Sequence, residues 1–245
     1  MGSAFAENDI TIAFPEGTEP WILTVNDSIS GVYPAIMKEL AKRTGRTAKF
    51  QALPLARAEA MLKIGSIDLI IGLKDTEERK AFLHFLDTPY RYSSSKIFYV
   101  RKGEGNRLRS YEDLYVLKVG TQRGTKYFAK FDEDLNLHKE EVHLEDQNFQ
   151  KLVFNHVDVL IIPEDRGEFI LTKLGLRDKV ERAPFFFQDE TPRFIAISKF
   201  SYAIKDVPAY EVAMKTIRDD GTLGRLYQEN YISLYKVSPN SVRWK

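Results

Sequence analysis

Apolar and polar residues follow two distinct periods along this chain. Residues 10–14 (ITIAF) form a short apolar run that predicts a strand. Beyond Gly31, the residues Ile36, Met37, Leu40 and Ala41 recur at helical spacing. With Pro34 near the first turn and Gly45 at the stop, they predict a first helix. Residues 49–53 predict a second strand, 56–64 a second helix, and 68–72, rich in Ile and Leu, a third strand. The middle of the chain repeats the theme, with strands predicted at 117–120 and 157–162 and helices at 126–131 and 147–155. Two longer strand-like stretches, 96–101 and 193–198, flank this second block, which begins near residue 104. Further helices are predicted around 207–217 and 223–231. Strand alternating with helix is the pattern of parallel sheets with crossover helices. The chain is expected to leave a first α/β lobe, build a second and return to finish the first, with the two flanking strands as a hinge.

Composition narrows what such a fold can do. At 245 residues and 43% hydrophobic content there is material for two packed cores. Lys plus Arg (36) nearly balances Asp plus Glu (35), so no global field recruits nucleic acid or an anionic membrane surface, and any ligand is read locally. The lack of cysteine excludes a disulfide framework, a thiolate zinc site and a cysteine nucleophile. His84, His138, His143 and His156 lack the i, i+4 spacing of a zinc-binding helix, and His138 and His143, in LHKEEVHLED, are expected on the solvated surface. No metal or other cofactor is expected. No apolar run approaches the roughly 20 residues that span a bilayer. Met1-Gly2-Ser3 reads as a remnant of expression cloning, and Ala4-Phe5-Ala6 before Glu7 has the A-x-A pattern of a signal-peptide cleavage site. A secreted protein lacking its signal peptide is the expectation.

Four segments, in this order and spacing, resemble the family 3 extracellular solute-binding proteins, the polar amino-acid receptors of bacterial ABC importers. They are SGVYPAIMKELAKRTG, GSIDLIIGLKDTEERKAFLHFLDTPYRYS, VLKVGTQRGTKYFAKF and DDGTLGRLYQENY. The resemblance covers almost the whole chain. It implies a periplasmic or extracytoplasmic monomer of the type II periplasmic binding protein fold, the Venus flytrap. Its two Rossmann-like α/β lobes are joined by two hinge strands, with lobe 1 at 7–101 and 194–245 and lobe 2 inserted at 102–193. It also implies a small-molecule ligand, an amino acid or other carboxylate, held in the interlobe cleft by hinge closure, and a membrane permease as partner.

Ligands of open α/β sheets collect beyond the carboxyl ends of the strands. After Gly72 the chain reads Leu73-Lys74-Asp75-Thr76-Glu77-Glu78-Arg79. Thr76 suits an N-cap and the two glutamates suit a first helical turn, whereas Arg79 there opposes the helix dipole. Its paired donors match a carboxylate, and the resemblance implies that Arg79 grips the ligand's α-carboxylate, with Gly72, Lys74 and Thr76 beside it. The alternative is a salt bridge to Asp75, Glu77 or Glu78. In the second lobe, Gly120-Thr121-Gln122-Arg123-Gly124-Thr125 lies between a strand and a helix. N–H groups at that helix start are expected to donate to a carboxylate, with Gly124 allowing close approach and Thr125 in contact.

The resemblance also implies an ammonium-binding aspartate at the end of the second-lobe strand, but Pro163 stands there, followed by Glu164 and Asp165. Either acid substitutes, or the ligand has no α-ammonium, or both acids merely cap a helix. Arg57 stands where the resemblance implies an aromatic wall, and Lys74 where it implies a small hydroxyl residue. With Arg79 they form a cluster suited to a second anionic group, if all three point into the cleft. Trp21 is placed to stack on the ligand or to pack locally. Tyr90 and Tyr92 are expected to shape the approach to the hinge. Two other functions use the same scaffold: a sensory module that passes closure to a partner, and a dehydratase with Glu164 as general acid.

Overall fold

Residues 8–26 and 28–244 are described by the computed structural model, and the A-x-A stretch at Ala4-Phe5-Ala6 lies outside them. The chain first forms β1 (Asp9–Pro15), a hairpin of β2 (Leu23–Val25) and β3 (Ser28–Ser30), α1 (Val32–Arg43), β4 (Thr47–Leu53) and α2 (Leu55–Lys63). It continues through β5 (Leu69–Ile70), α3 (Glu77–Lys80), β6 (Leu83–Phe85) and β7 (Arg91–Tyr92). Next come β8 (Lys96–Arg101), β9 (Lys118–Gln122), α4 (Ala129–Glu133), β10 (His138–Val142), α5 (Glu145–Val153), β11 (Val159–Pro163), α6 (Glu164–Leu174) and β12 (Val180–Phe187). The strands β13 (Pro192–Arg193) and β14 (Ala196–Ser198) and the helices α7 (Val207–Asp219) and α8 (Thr222–Tyr227) follow.

These elements divide into two compact units. Lobe 1 holds the residues up to Tyr92, Thr191–Lys236 and the chain from Arg243; lobe 2 holds Ser93–Glu190 and Val237–Val242. The first two boundaries fall earlier than the sequence predicts, because β8 is hydrogen-bonded between β11 and β12 as a full member of lobe 2. A further pair of crossings, around 237–242, adds to the two expected.

Lobe 1 is built on a five-stranded sheet in the order β4-β1-β5-β14-β6. β1 runs parallel to β4 and β5, and β14 runs antiparallel to β5 and β6. Ile12, Ala13 and Phe14 are fully buried, as a central strand covered on both faces requires. The predicted apolar face of α1 is the buried one, with Ile36, Met37 and Leu40 at zero exposure. Burial of each such side chain contributes roughly 1.5–3 kcal/mol. The entry to α1 is narrow: Gly31 has φ 113° and ψ −174°, and a Cβ there would stand 2.6 Å from the Trp21 carbonyl oxygen.

Lobe 2 repeats the plan with the order β10-β9-β11-β8-β12, in which β10, β9 and β11 are parallel and β8 is antiparallel to its neighbours. Phe98, Leu114, Val119, Phe131 and Val159 fill its core. The charged run at 138–142 forms β10, a strand at the sheet edge where polar side chains stay wet, and His138 and His143 are exposed. α4 starts three residues later than predicted, because the Asp132 carboxylate accepts the Tyr127 N–H (3.1 Å to each oxygen) and holds the preceding residues as a loop. Among the described residues no helix is long and apolar enough to cross a membrane.

Beside the amino ends of β9 and β11, Arg101, Glu104, Arg107 and Asp158 form a network, with Arg107 Nη1 on Glu104 at 2.8 Å and Nη2 on Asp158 at 3.0 Å. Burial alone raises both carboxyls. It is outweighed at Glu104 by Arg101 and Arg107, and at Asp158 by the Lys118 N–H and Arg107, so both lie below their usual values of 4.5 and 3.8. A depressed carboxylate stabilises the fold above its unfolded pKa, and that stability is lost as pH falls through the folded value. Acid unfolding followed by circular dichroism is therefore expected to steepen below about pH 4, and Asp158→Asn to flatten the slope while lowering stability at neutral pH. An unchanged acid limb in Asp158→Asn would show that the network does not couple to folding.

Candidate functional site

The carboxyl ends of the lobe-1 strands carry most of the residues singled out in the sequence. β5 ends at Ile70, and the chain passes through Gly72 (φ 103°) and Lys74 to Thr76, the N-cap of α3, whose Oγ1 accepts the Arg79 N–H at 3.3 Å. Arg79 is held at two of its nitrogens. Nε donates to Glu59 Oε1 on α2 at 2.9 Å, and Nη1 donates to the Lys74 carbonyl at 3.1 Å. Its salt bridge is thus to Glu59, and not to Asp75, Glu77 or Glu78. Nη2 has no partner among the described residues, and the side chain keeps 19% exposure. A guanidinium held at Nε and Nη1 with Nη2 left over has a donor to offer an anion.

Arg57 does not join this group. It is exposed in the first turn of α2, two positions before Glu59. Residues two apart on a helix lie about 200° from each other around the axis, so the face that meets Arg79 is not the face of Arg57. Lys74 is exposed and contributes its carbonyl to Arg79. The three-cation cluster is therefore corrected to Arg79 and Lys74.

Trp21 packs locally, the second of the two alternatives open to it. It is 4% exposed, stacks on Tyr33 (5.7 Å between centroids, 10°), lies 4.7 Å from Tyr231 and carries Arg91 Cζ 4.5 Å over its ring. These neighbours leave almost none of the ring accessible. The exposed face beyond β1 and β4 is instead a cleft of about 260 Å³ whose lining includes Glu16, Gly17, Glu19, Thr24 and Ala52.

In lobe 2, β9 runs two residues past its predicted end, to Gln122, and the turn that follows has Gly124 at φ 73°. Thr125 closes the turn onto Gln122, its N–H on the backbone oxygen and its Oγ1 on Oε1, both at 3.1 Å. The expected bare N–H groups of a helix start are absent here, since α4 has five residues and opens at Ala129. Gly124 and Thr125 nonetheless line a cleft of about 190 Å³ with Gln122, Tyr127 and Asp132.

Glu164 and Asp165 open α6 and are both buried, at 6% and 2% exposure. Arg182 Nη1 donates to Glu164 Oε1, and Asp165 Oδ1 accepts the Arg166 N–H at 2.9 Å. Two neighbouring acids are engaged as well: Glu145 by Arg166, and Glu168 by Tyr99 OH (2.9 Å) and Arg177 (3.0 Å). Burial, with Glu168 close by, pushes the Tyr99 phenol well above its usual range, so it stays a donor.

Sequence reasoning missed two features at the carboxyl end of β11. Pro163 is paired with Lys96 on β8, and Lys96 is paired in turn with Phe187 on β12. Lys96 is buried, and its Nζ donates to Asp189 Oδ2 at 3.0 Å and to the Ser94 carbonyl at 2.8 Å. Phe187, 39% exposed, stacks on Phe128 at 4.2 Å and 3°. The legible signal was a lysine directly after three serines, at the head of an apolar strand.

Solved structures of similar fold include the second substrate-binding domain of GlnP from Lactococcus lactis (TM-score 0.71, 19% identity, covering 94% of this chain and 98% of that one). An ancestral cationic amino acid solute-binding protein matches with TM-score 0.72 and 21% identity, over 91% of this chain and 96% of that one. The periplasmic binding protein of an arginine third transport system from Legionella pneumophila gives 0.66 and 21%, over 91% and 99%. No curated protein sequence matches the chain. These likenesses show a type II periplasmic binding protein fold. With residues 10–232 matching the family description as well, the chain belongs to the bacterial extracellular solute-binding proteins, family 3.

Proposed function

We propose that this protein captures a small polar ligand bearing a carboxylate, an amino acid or a close relative, outside the cytoplasm, and delivers it to the membrane permease of an ABC importer. The observation that carries this reading is Arg79: Nε is held by Glu59 and Nη1 by the Lys74 carbonyl, and Nη2 is left to donate. Lys74 beside it adds positive charge at an exposed position. Proteins of this fold include binding proteins of amino-acid and arginine transport systems, which supports a ligand of that size and polarity.

A thermal-shift screen of ligand-stripped protein against amino acids, dicarboxylates, short peptides and nucleosides tests it. A ligand at 100 times its dissociation constant stabilises by roughly 2.7 kcal/mol, and the expected hit carries a carboxylate. Arg79→Ala is expected to weaken that hit by about 1.5–3 kcal/mol, the worth of a hydrogen bond to a charged group. A hit without a carboxylate, or one indifferent to Arg79, would overturn the reading.

A further inference from the structure

At the carboxyl end of β11, lobe 2 offers a buried cation and unpaired hydroxyls, while its acids are already engaged. From this we infer the class of ligand: a small carboxylate without an α-ammonium, such as a dicarboxylate or a 2-oxo acid. The inference rests on the capture reading above and narrows it.

Residues directly opposite one another in an antiparallel ladder project from the same face of the sheet. Lys96 therefore shares a face with Pro163 on one side and with the half-exposed Phe187 ring on the other. Just before it in the chain, Ser93, Ser94 and Ser95 are 2%, 9% and 3% exposed, and their hydroxyls are buried with no hydrogen-bond partner. Unmet hydroxyls at such burial are costly in an isolated protein, and a bound oxygen-rich group removes the cost.

An ammonium needs acceptors, and the carboxylates that flank this end of the sheet are in use. Glu164 holds Arg182, Glu145 holds Arg166, Glu168 holds Tyr99 and Arg177, and Asp165 takes the Arg166 N–H. Asp189 holds Lys96, with side-chain exposures of 18% and 10%. A ligand ammonium at Asp189 places two cations on one carboxylate, where little water screens them from each other. A carboxylate or carbonyl oxygen at the same place meets the field of Lys96 instead.

Isothermal titration with matched pairs tests the inference, using glutarate and 2-oxoglutarate against L-glutamate, and succinate against L-aspartate. At least one ammonium-free acid is expected to bind, with its amino-acid counterpart at least about tenfold weaker. Lys96→Gln is expected to narrow that gap by weakening the acid. Asp189→Asn, a second variant that keeps the lysine, is expected to preserve the preference for the acid. An amino acid that binds as tightly as its counterpart, and loses affinity in Arg79→Ala, overturns the inference and leaves the capture reading standing. Silence from both members of every pair, in protein with a sharp melting transition, overturns this inference, while carboxylate capture falls only if the wider thermal-shift screen also yields no carboxylate hit.

Discussion

Trp21→Ala is expected to lower the unfolding free energy by about 3–5 kcal/mol, the range for removing a buried large aromatic. The indole lies against Tyr33 and Tyr231, meets Tyr227 edge-on at 6.0 Å and supports the Arg91 guanidinium, so truncation opens a cavity lined by three rings and an arginine. Urea denaturation measures the loss. Affinity for whatever ligand the screen identifies is expected to change much less than stability, because almost none of the ring is accessible. The reverse result, near-wild-type stability with a large drop in affinity, would return Trp21 to the ligand.

Gly31→Ala is expected to cost about 2–6 kcal/mol by a different route. At φ 113° and ψ −174° the residue sits in backbone space that is essentially reserved for glycine, a strain of about 1–3 kcal/mol for any other residue. The added methyl would also lie 2.6 Å from the Trp21 carbonyl oxygen, which accepts the Tyr33 N–H at 3.2 Å. Relief requires moving backbone, and overpacking of this kind adds about 1–3 kcal/mol. The same denaturation experiment reads it. A substitution within 1 kcal/mol of wild type would mean that the turn into α1 relaxes freely.

Much of lobe 1 was legible in the sequence because its signals are local. The apolar face of α1 and the strands either side of it are set by residues within a few positions of one another, and they fold where the periodicity puts them. β10 was not legible, since an edge strand with wet side chains has the composition of a loop. The lobe boundary was misplaced for a related reason: nothing in residues 96–101 says which neighbours the strand will pair with, and it pairs wholly within lobe 2. At the site, Arg79 stands out because an arginine in a first helical turn is locally unfavourable. Its partner Glu59, 20 residues earlier on another helix, carries no such mark. Lys96 was hidden by the same distance effect, as its partner Asp189 lies 93 residues away.

The position of β14 bears on the order in which the molecule can be assembled. It sits between β5 and β6, so the lobe-1 sheet remains split, with two open edges, until residue 198 has left the ribosome. By then the strands and helices of lobe 2 from Ser93 to Glu190 have already emerged. Lobe 2 thus has the opportunity to collapse first, on nearer contacts, while the earlier-made half of lobe 1 waits with unpaired strand backbone. Between synthesis of Ile70 and of Ser198, β5 keeps an unpaired edge on which another chain can pair.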